Sequence, residues 1–268
     1  MLDSVSGISR QTERRRRPVL LYAVWIGVSL AVLSLILAIG AGFGTRFGWW
    51  HFRVGFSILW WGALGGATGA VISLIGLIAA KRGDSNGPEE KTATRQEIFP
   101  AAIGLVVGLF VFAVPLQWMA TARRVPPIHD ITTDLENPPP FVAILKLRES
   151  ASNPVEYGGP EVAAQQRAGY PKLGPAFLSL PPDQAFVRAL VVARSMEWKI
   201  IDANKEEGRI EATDTTFWFG FRDDIVIRIT PVEQGSRIDV RSVSRVGKSD
   251  VGTNARRIEK YLKKLTRS

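Results

Sequence analysis

A three-helix membrane bundle followed by a water-soluble two-layer α+β domain is the fold the sequence predicts, and three observations predict it. Residues 18–45, 54–80 and 98–122 hold no Asp, Glu, Lys or Arg, and each exceeds the ~20 residues a helix needs to cross a hydrocarbon core. After residue 122 no comparable apolar stretch recurs. From residue 181 onward the pattern reads helix, four strands, helix, the order of an antiparallel sheet carrying helices on one face.

The chain divides accordingly: a cytoplasmic basic tail over 1–17, a three-helix transmembrane region over 18–125, a proline-rich stalk over 126–140 and a soluble α+β domain over 141–268. Arg10, Arg14, Arg15, Arg16 and Arg17 precede the first span, and Lys81, Arg82, Lys91 and Arg95 separate the second from the third. Only Arg46, Arg53, Arg123 and Arg124 flank the other side. Because cytoplasmic flanks carry the excess of Lys and Arg, this asymmetry predicts a multi-pass protein with its amino terminus inside and its carboxy-terminal domain outside; in a bacterium that means the inner membrane and the periplasm. The first apolar stretch is too long for a signal-peptide core, so it reads as an uncleaved anchor.

Within the spans, Gly62 with Gly66, Gly65 with Gly69, and Gly104 with Gly108 form small-xxx-small pairs that let helices approach closely. No ionisable group lines a path between them, which argues for an anchor rather than a transporter or channel. Trp49 and Trp50 suit an aromatic belt at the outer interface; Trp60 and Trp61 suit one only if the second helix starts late, and otherwise read as buried.

The formal charge of +9 invites a nucleic-acid reading that its distribution removes. Residues 131–268 hold 21 basic and 18 acidic side chains, so most of the excess flanks the apolar helices. The expected partner is the lipid bilayer, with an envelope protein or an anionic or lipid ligand beside it, and no nucleic acid. Absence of cysteine excludes disulfides and thiolate chemistry. The two histidines, His51 and His129, fall in a loop and in the stalk, so no catalytic triad or multi-His metal site forms within the domain. No cofactor or metal is expected.

Residues 123–140, RRVPPIHDITTDLENPPP, read as extended chain without a regular element. Residues 153–175, rich in Gly and Pro, read as a loop wrapped over the domain surface. Pro181, Pro182 and Asp183 open a helix with Phe186, Ala189, Leu190 and Ala193 at helical spacing, running to about Met196. Strands follow over 198–202, 209–218, 221–231 and 237–246. In the third, Ile225, Ile227 and Ile229 face one side, and Asp224, Val226, Arg228 and Thr230 the other. A last helix presents Ile258, Tyr261, Leu262 and Leu265 as an apolar stripe. Both helices should cover one sheet face, leaving the other to solvent, a partner or the loop.

Two constellations are candidates for function. Arg241, Arg245, Lys248, Ser249, Asp250, Asn254, Arg256 and Arg257 gather around the start of the last helix, where Ser249 or Asp250 is placed as a cap and the helix N–H groups with nearby arginines would hold a carboxylate or phosphate. The alternative use of Arg245 and Arg257 is pairing with Asp223, Asp224 or Asp250 to fasten the helix onto the sheet. The run Phe217-Trp218-Phe219-Gly220-Phe221 supplies core by strand alternation, and Trp218 and Phe219 are ligand-binding candidates, as a pocket wall or as a contact with lipid headgroups. Asp223 and Asp224 do not form a catalytic dyad, since adjacent strand residues point to opposite faces. The Gly247-Lys248-Ser249 run fails as a P-loop because Ser242 stands where glycine is required. No catalytic residue is assigned. A binding or scaffolding module is the expected function, with an enzyme acting on a lipid or glycan phosphate through Asp250, Ser249 and Arg245 as the alternative.

Three stretches, IHDITTD at 128–134, WFGFRDDI at 218–225 and SRVGKSDVGTNARRI at 244–258, resemble the domain-of-unknown-function 1499 family. The resemblance extends from the stalk to the last helix, about half the chain. It implies a domain found in bacterial envelopes and chloroplasts, often behind membrane helices, and it implies no particular activity.

Overall fold

The computed structural model describes residues 2–82 and 88–267, with side chains described over 21–80 and 97–267. The chain separates into two compact units, residues 1–118 and 119–268. The basic side chains expected on the inner side, from Arg10 to Arg17 and from Lys81 to Arg95, lie outside the described side chains.

The first unit is α-helical: α1 (Leu2–Arg46), α2 (Phe52–Arg82) and α3 (Pro88–Ala122). Leu21–Arg46, Phe52–Ala80 and Glu97–Ala122 are long and apolar enough to cross a membrane; at ~1.5 Å per residue each exceeds the ~30 Å hydrocarbon thickness. The glycine pairs serve as contact points. A Cβ on Gly69 would lie 2.9 Å from the backbone nitrogen of Ala31, and one on Gly66 would lie 3.0 Å from the carbonyl of Gly108, so α2 meets both neighbours where side chains are absent. Helix α2 begins at Phe52, so Trp60 and Trp61 lie well inside it. They are nonetheless exposed, Trp61 to 70%, which corrects the buried reading: smaller side chains such as Ala63, Ala70 and Leu59 take the buried positions of α2, and the indoles occupy its outward face.

In the second unit the elements are β1 (Asp130–Thr132), a 3-10 helix (Ala143–Arg148), α4 (Gly159–Gly169), β2 (Ala176–Leu178), α5 (Pro182–Ser195), β3 (Lys199–Asn204), β4 (Arg209–Thr215), β5 (Arg222–Val232), β6 (Gly235–Ser244) and α6 (Thr253–Arg267). They build one antiparallel sheet in the order β1-β6-β5-β4-β3, with β2 also paired to β6. The long strands β5 and β6 form its centre through the register Asp223↔Ser244 to Val232↔Gly235.

The four strands and two helices expected from periodicity are present, and α5 and α6 do share a face. Phe186, Ala189 and Val192 of α5 and Ile258, Tyr261 and Leu265 of α6 bury against Ile225, Ile227, Ile229, Ile238 and Val240. Two short strands, α4 and the 3-10 helix were not expected. Residues 130–132, read as extended chain without a regular element, are an edge strand paired to β6, and much of the 153–175 loop is α4. The prolines exclude helix but not three residues of sheet, and α4 has Pro160 in its first turn, where proline's missing N–H costs nothing.

The second sheet face is covered by the chain itself. Residues 133–158 form a strap whose Phe141 and Ile144 pack on Val226 and Val243. Glu211, fully buried on β4, accepts the backbone N–H groups of Val142 and Ala143 through Oε1, at 2.9 and 3.1 Å, and that of Ile144 through Oε2 at 2.9 Å. One carboxylate thereby satisfies the free donors that open the 3-10 helix and binds the strap to the sheet.

Candidate functional site

The 246–252 loop and the start of α6 are shaped by backbone requirements. Gly247 and Gly252 have φ of +94° and +74°, a region that suits glycine and strains a β-branched residue such as the intervening Val251, at +52°. Asp250 caps α6: its carboxylate accepts the N–H groups of Gly252 at 2.9 Å and Asn254 at 2.5 Å. Ser249 Oγ accepts Val251 N–H at 3.1 Å. Burial pushes the Asp250 carboxyl above its ordinary range, with Asp223 adding to the rise and the two N–H donors opposing it. The free helix donors that were candidates for an anion are therefore filled from within the motif.

Asn254 and Arg257 point inward. Asn254 accepts Ser242 Oγ–H at 2.7 Å and donates to Ser244 Oγ and the His129 carbonyl, each at 3.0 Å. Arg257 donates to Asp223 at 2.6 Å and Asp214 at 2.8 Å, and also to Asn254 Oδ1. Arg256 stays exposed and bonds locally, to the Val251 carbonyl and Thr253.

Arg241 and Arg245 lie on the opposite sheet face, as strand alternation requires. Arg241 donates to both oxygens of Asp130, at 3.0 and 2.7 Å, and its guanidinium lies 5.3 Å from the Phe141 ring centre and 5.6 Å from that of Tyr157. Asp130 has its pKa raised by burial, which Arg241 offsets only in part. Arg245 grips Asp224 through Nε at 2.9 Å and Nη2 at 2.8 Å, and the same carboxylate receives Arg148 Nη1 and Thr213 Oγ1, each at 2.7 Å. Tyr157 and Tyr170 have their hydroxyl pKa values pushed up to about 12, chiefly by burial.

The nominated cluster is thus two clusters separated by the sheet. Asp250, Asn254 and Arg257 come together on the helix side, Arg241 and Arg245 on the strap side, and Lys248 is exposed in the loop. Asp223 and Asp224 face apart and each holds an arginine. Sequence reasoning missed the other half of this network: Asp130, Asp134, Arg148, Glu211 and Asp239. The signal in the sequence was the charged face of β5, where Asp224 and Arg228 alternate with the apolar set; in the fold Arg228 stands opposite Asp239, and Arg228 and Arg237 are both bonded to Asp134. Such alternation of charge reads as a solvated face until the strap is known to cover it.

The aromatic run forms the turn between β4 and β5. Gly220, at φ +68°, donates to the Thr216 carbonyl at 3.1 Å, and Phe221 N–H donates to Thr216 Oγ1 at 2.8 Å. Phe219 is buried, stacked on Phe221 at 5.5 Å with Trp218 edge-on at 5.1 Å. Trp218 is half-buried, and Phe217 is 78% exposed. Phe219 anchors the turn while Phe217 projects from it.

Three apolar helices followed by a strap-covered α+β domain define a membrane-anchored protein with one folded carboxy-terminal module. The family model for a protein of unknown function, DUF1499, matches residues 130–265. The chain belongs to that family, and the three quoted motifs fall almost wholly within the match. No curated protein matches the chain.

Proposed function

We propose that the protein is a cell-envelope module of the bacterial inner membrane, with its carboxy-terminal domain in the periplasm, that works by binding a lipid, an anionic ligand or an envelope protein. The single observation that carries this reading is the use made of the domain's polar groups. Asp130, Asp223, Asp224, Glu211, Arg241, Arg245 and Arg257 are each engaged in ion pairs or caps that fix strap and helices to the sheet. These contacts hold a rigid scaffold on which loops are presented. An enzyme acting through Asp250, Ser249 and Arg245 would need those groups to converge with a carboxylate released from its partner; Asp250 instead caps α6 and Arg245 is clamped to Asp224 across the sheet.

Two measurements test the proposal. Alkaline phosphatase fused after Ser268 should be active and a fluorescent-protein fusion dark, and the reverse pattern would place the domain in the cytoplasm. Native mass spectrometry of the full-length protein released from lipid nanodiscs should show retained lipid, anionic ligand or a stoichiometric envelope partner. Bare protein in every preparation would overturn the binding reading.

A further inference from the structure

Resting on the binding reading and narrowing it, we infer that the end of the domain bearing the β4–β5 turn is a docking tip for the anionic headgroup surface of the membrane the protein spans.

The chain enters the domain through a short tether. Ile128 is already core, 4% exposed, and only residues 123–127 separate it from the last residue of α3, Ala122. The entry point lies at one particular end of the sheet. Ser244, the last residue of β6, donates to the His129 carbonyl at 3.0 Å, and Asp250 donates to the Ile128 carbonyl at 3.2 Å. Ser244 is also the register partner of Asp223, which directly follows the aromatic turn. Tether, aromatic turn and the 246–252 loop therefore share one end of the domain, and the β5–β6 turn occupies the other. Along the 11 residues of β5 the two ends are roughly 33 Å apart.

That end has the composition of an interfacial surface. Phe217 projects from it with Trp218 half-buried beside it, and Leu147, 46% exposed, is held there by its carbonyl accepting Arg245 Nη1 at 2.8 Å. The same end carries the exposed cations Arg222, Lys248 and Arg256, and the tether that enters it carries the exposed Arg123 and Arg124. The nearby acids are mostly committed: Asp223 and Asp214 to Arg257, Asp224 to Arg148 and Arg245, Asp250 to the helix cap; Glu149 is exposed. Aromatic rings favour the headgroup level, where an apolar body and a wet edge are both accommodated. Cations around them are drawn to anionic lipid within a Debye length. The chain's covalent continuity with a membrane span keeps that surface within reach.

The test uses the full-length protein, whose lack of cysteine allows a single site for labelling. Thr215→Cys, exposed beside the turn, and Gln234→Cys, exposed at the far end, are each labelled with an environment-sensitive fluorophore and reconstituted into phosphatidylcholine vesicles with and without phosphatidylglycerol. Lipids carrying a nitroxide at the headgroup should quench the 215 label several-fold more than the 234 label. The quenching should increase with phosphatidylglycerol, weaken in high salt, and fall toward the 234 level when Phe217→Asp is added. Equal quenching at both sites would overturn the inference. So would quenching at 215 that ignores Phe217→Asp and lipid charge, because tethering alone explains that result. A blue-shifted 215 label that lipid nitroxides do not reach would assign the tip to a protein partner instead. A partner or ligand retained in the mass spectra alongside an unquenched tip removes this inference and leaves the binding reading intact.

Discussion

Replacing Asp224 by Asn removes one negative charge from the centre of the strap-side network while keeping the shape of the side chain. The carboxylate is fully buried and receives four hydrogen bonds: from Arg148 Nη1, Arg245 Nε, Arg245 Nη2 and Thr213 Oγ1. Its two cationic partners are themselves sheltered, with side chains 4% and 13% exposed, so neither guanidinium recovers its hydration without the strap lifting. Breaking a buried pair by deleting one partner costs about 3–5 kcal/mol, and two stranded arginines put Asp224→Asn toward the upper part of that range. With each ~1.4 kcal/mol worth a factor of ten, the opening equilibrium of the domain should shift by roughly a hundredfold to a few thousandfold. Hydrogen–deuterium exchange of the full-length protein in lipid nanodiscs measures this directly at the β5 and β6 amides, with α1 and α2 as an internal reference. Deuteration should accelerate across β5, β6 and residues 141–148 and remain unchanged in the apolar helices. The triple variant Asp224→Asn, Arg148→Met, Arg245→Leu should recover much of the lost protection, because no unpaired charge remains. An acceleration of less than tenfold in the single variant would refute the reasoning, since it would mean that the carboxylate is not the counter-charge the fold depends on.

Further outcomes follow from other contacts. Phe219→Ala should destabilise the domain by about 3–5 kcal/mol, and Phe217→Ala by less than about 0.5 kcal/mol, because one ring is buried and the other projects into solvent; denaturant unfolding followed by a label in the domain compares them, and equal effects would contradict the turn's geometry. Gly69→Leu should disrupt the apolar bundle, since even a Cβ would lie 2.9 Å from Ala31 backbone nitrogen; thermal aggregation in detergent should begin at lower temperature, while Gly40→Leu, at an open position, should be tolerated. Asp134 has its pKa lowered: burial raises it, but the N–H groups of Asn137 and Glu136 and the charges of Arg237 and Arg228 outweigh that. Its stabilising contribution is therefore complete above the ordinary value of 3.8 and is lost as pH falls through the lowered value. Asp130 and Asp250, whose values are raised, act in the opposite sense, their cost being relieved as pH falls. Asp134→Asn should accordingly flatten the acid limb of the stability profile relative to wild type, and an unchanged slope would show that the carboxylate is not coupled to folding.

Patterns with a local cause could be read from the sequence alone. Three charge-free stretches of more than ~20 residues specify membrane-crossing helices because nothing but a hydrogen-bonded helix or a closed barrel is tolerated in hydrocarbon. The period-two run Ile225, Ile227, Ile229 and the stripe Ile258, Tyr261, Leu265 fixed β5 and α6, since a one-residue slip would turn each apolar set toward water. Asp250 as a helix cap and the opposite orientation of Asp223 and Asp224 were legible for the same reason: each depends only on neighbours within a few residues. Tertiary structure alone decided the rest. Asp130–Thr132 becomes a strand because β6 offers an open edge 111 residues further along, and three residues carry no periodicity that could announce it. Pairing of Arg245 with Asp224 and of Arg257 with Asp223 was among the uses the sequence offered, but Arg241 meets Asp130 only because the edge strand β1 is laid beside β6. The charged face of β4, β5 and β6 reads as solvated until Glu211 binds the 3-10 helix and residues 133–158 close over it, because whether a charge pairs or hydrates depends on what covers it, and that is a property of the folded chain rather than of any segment.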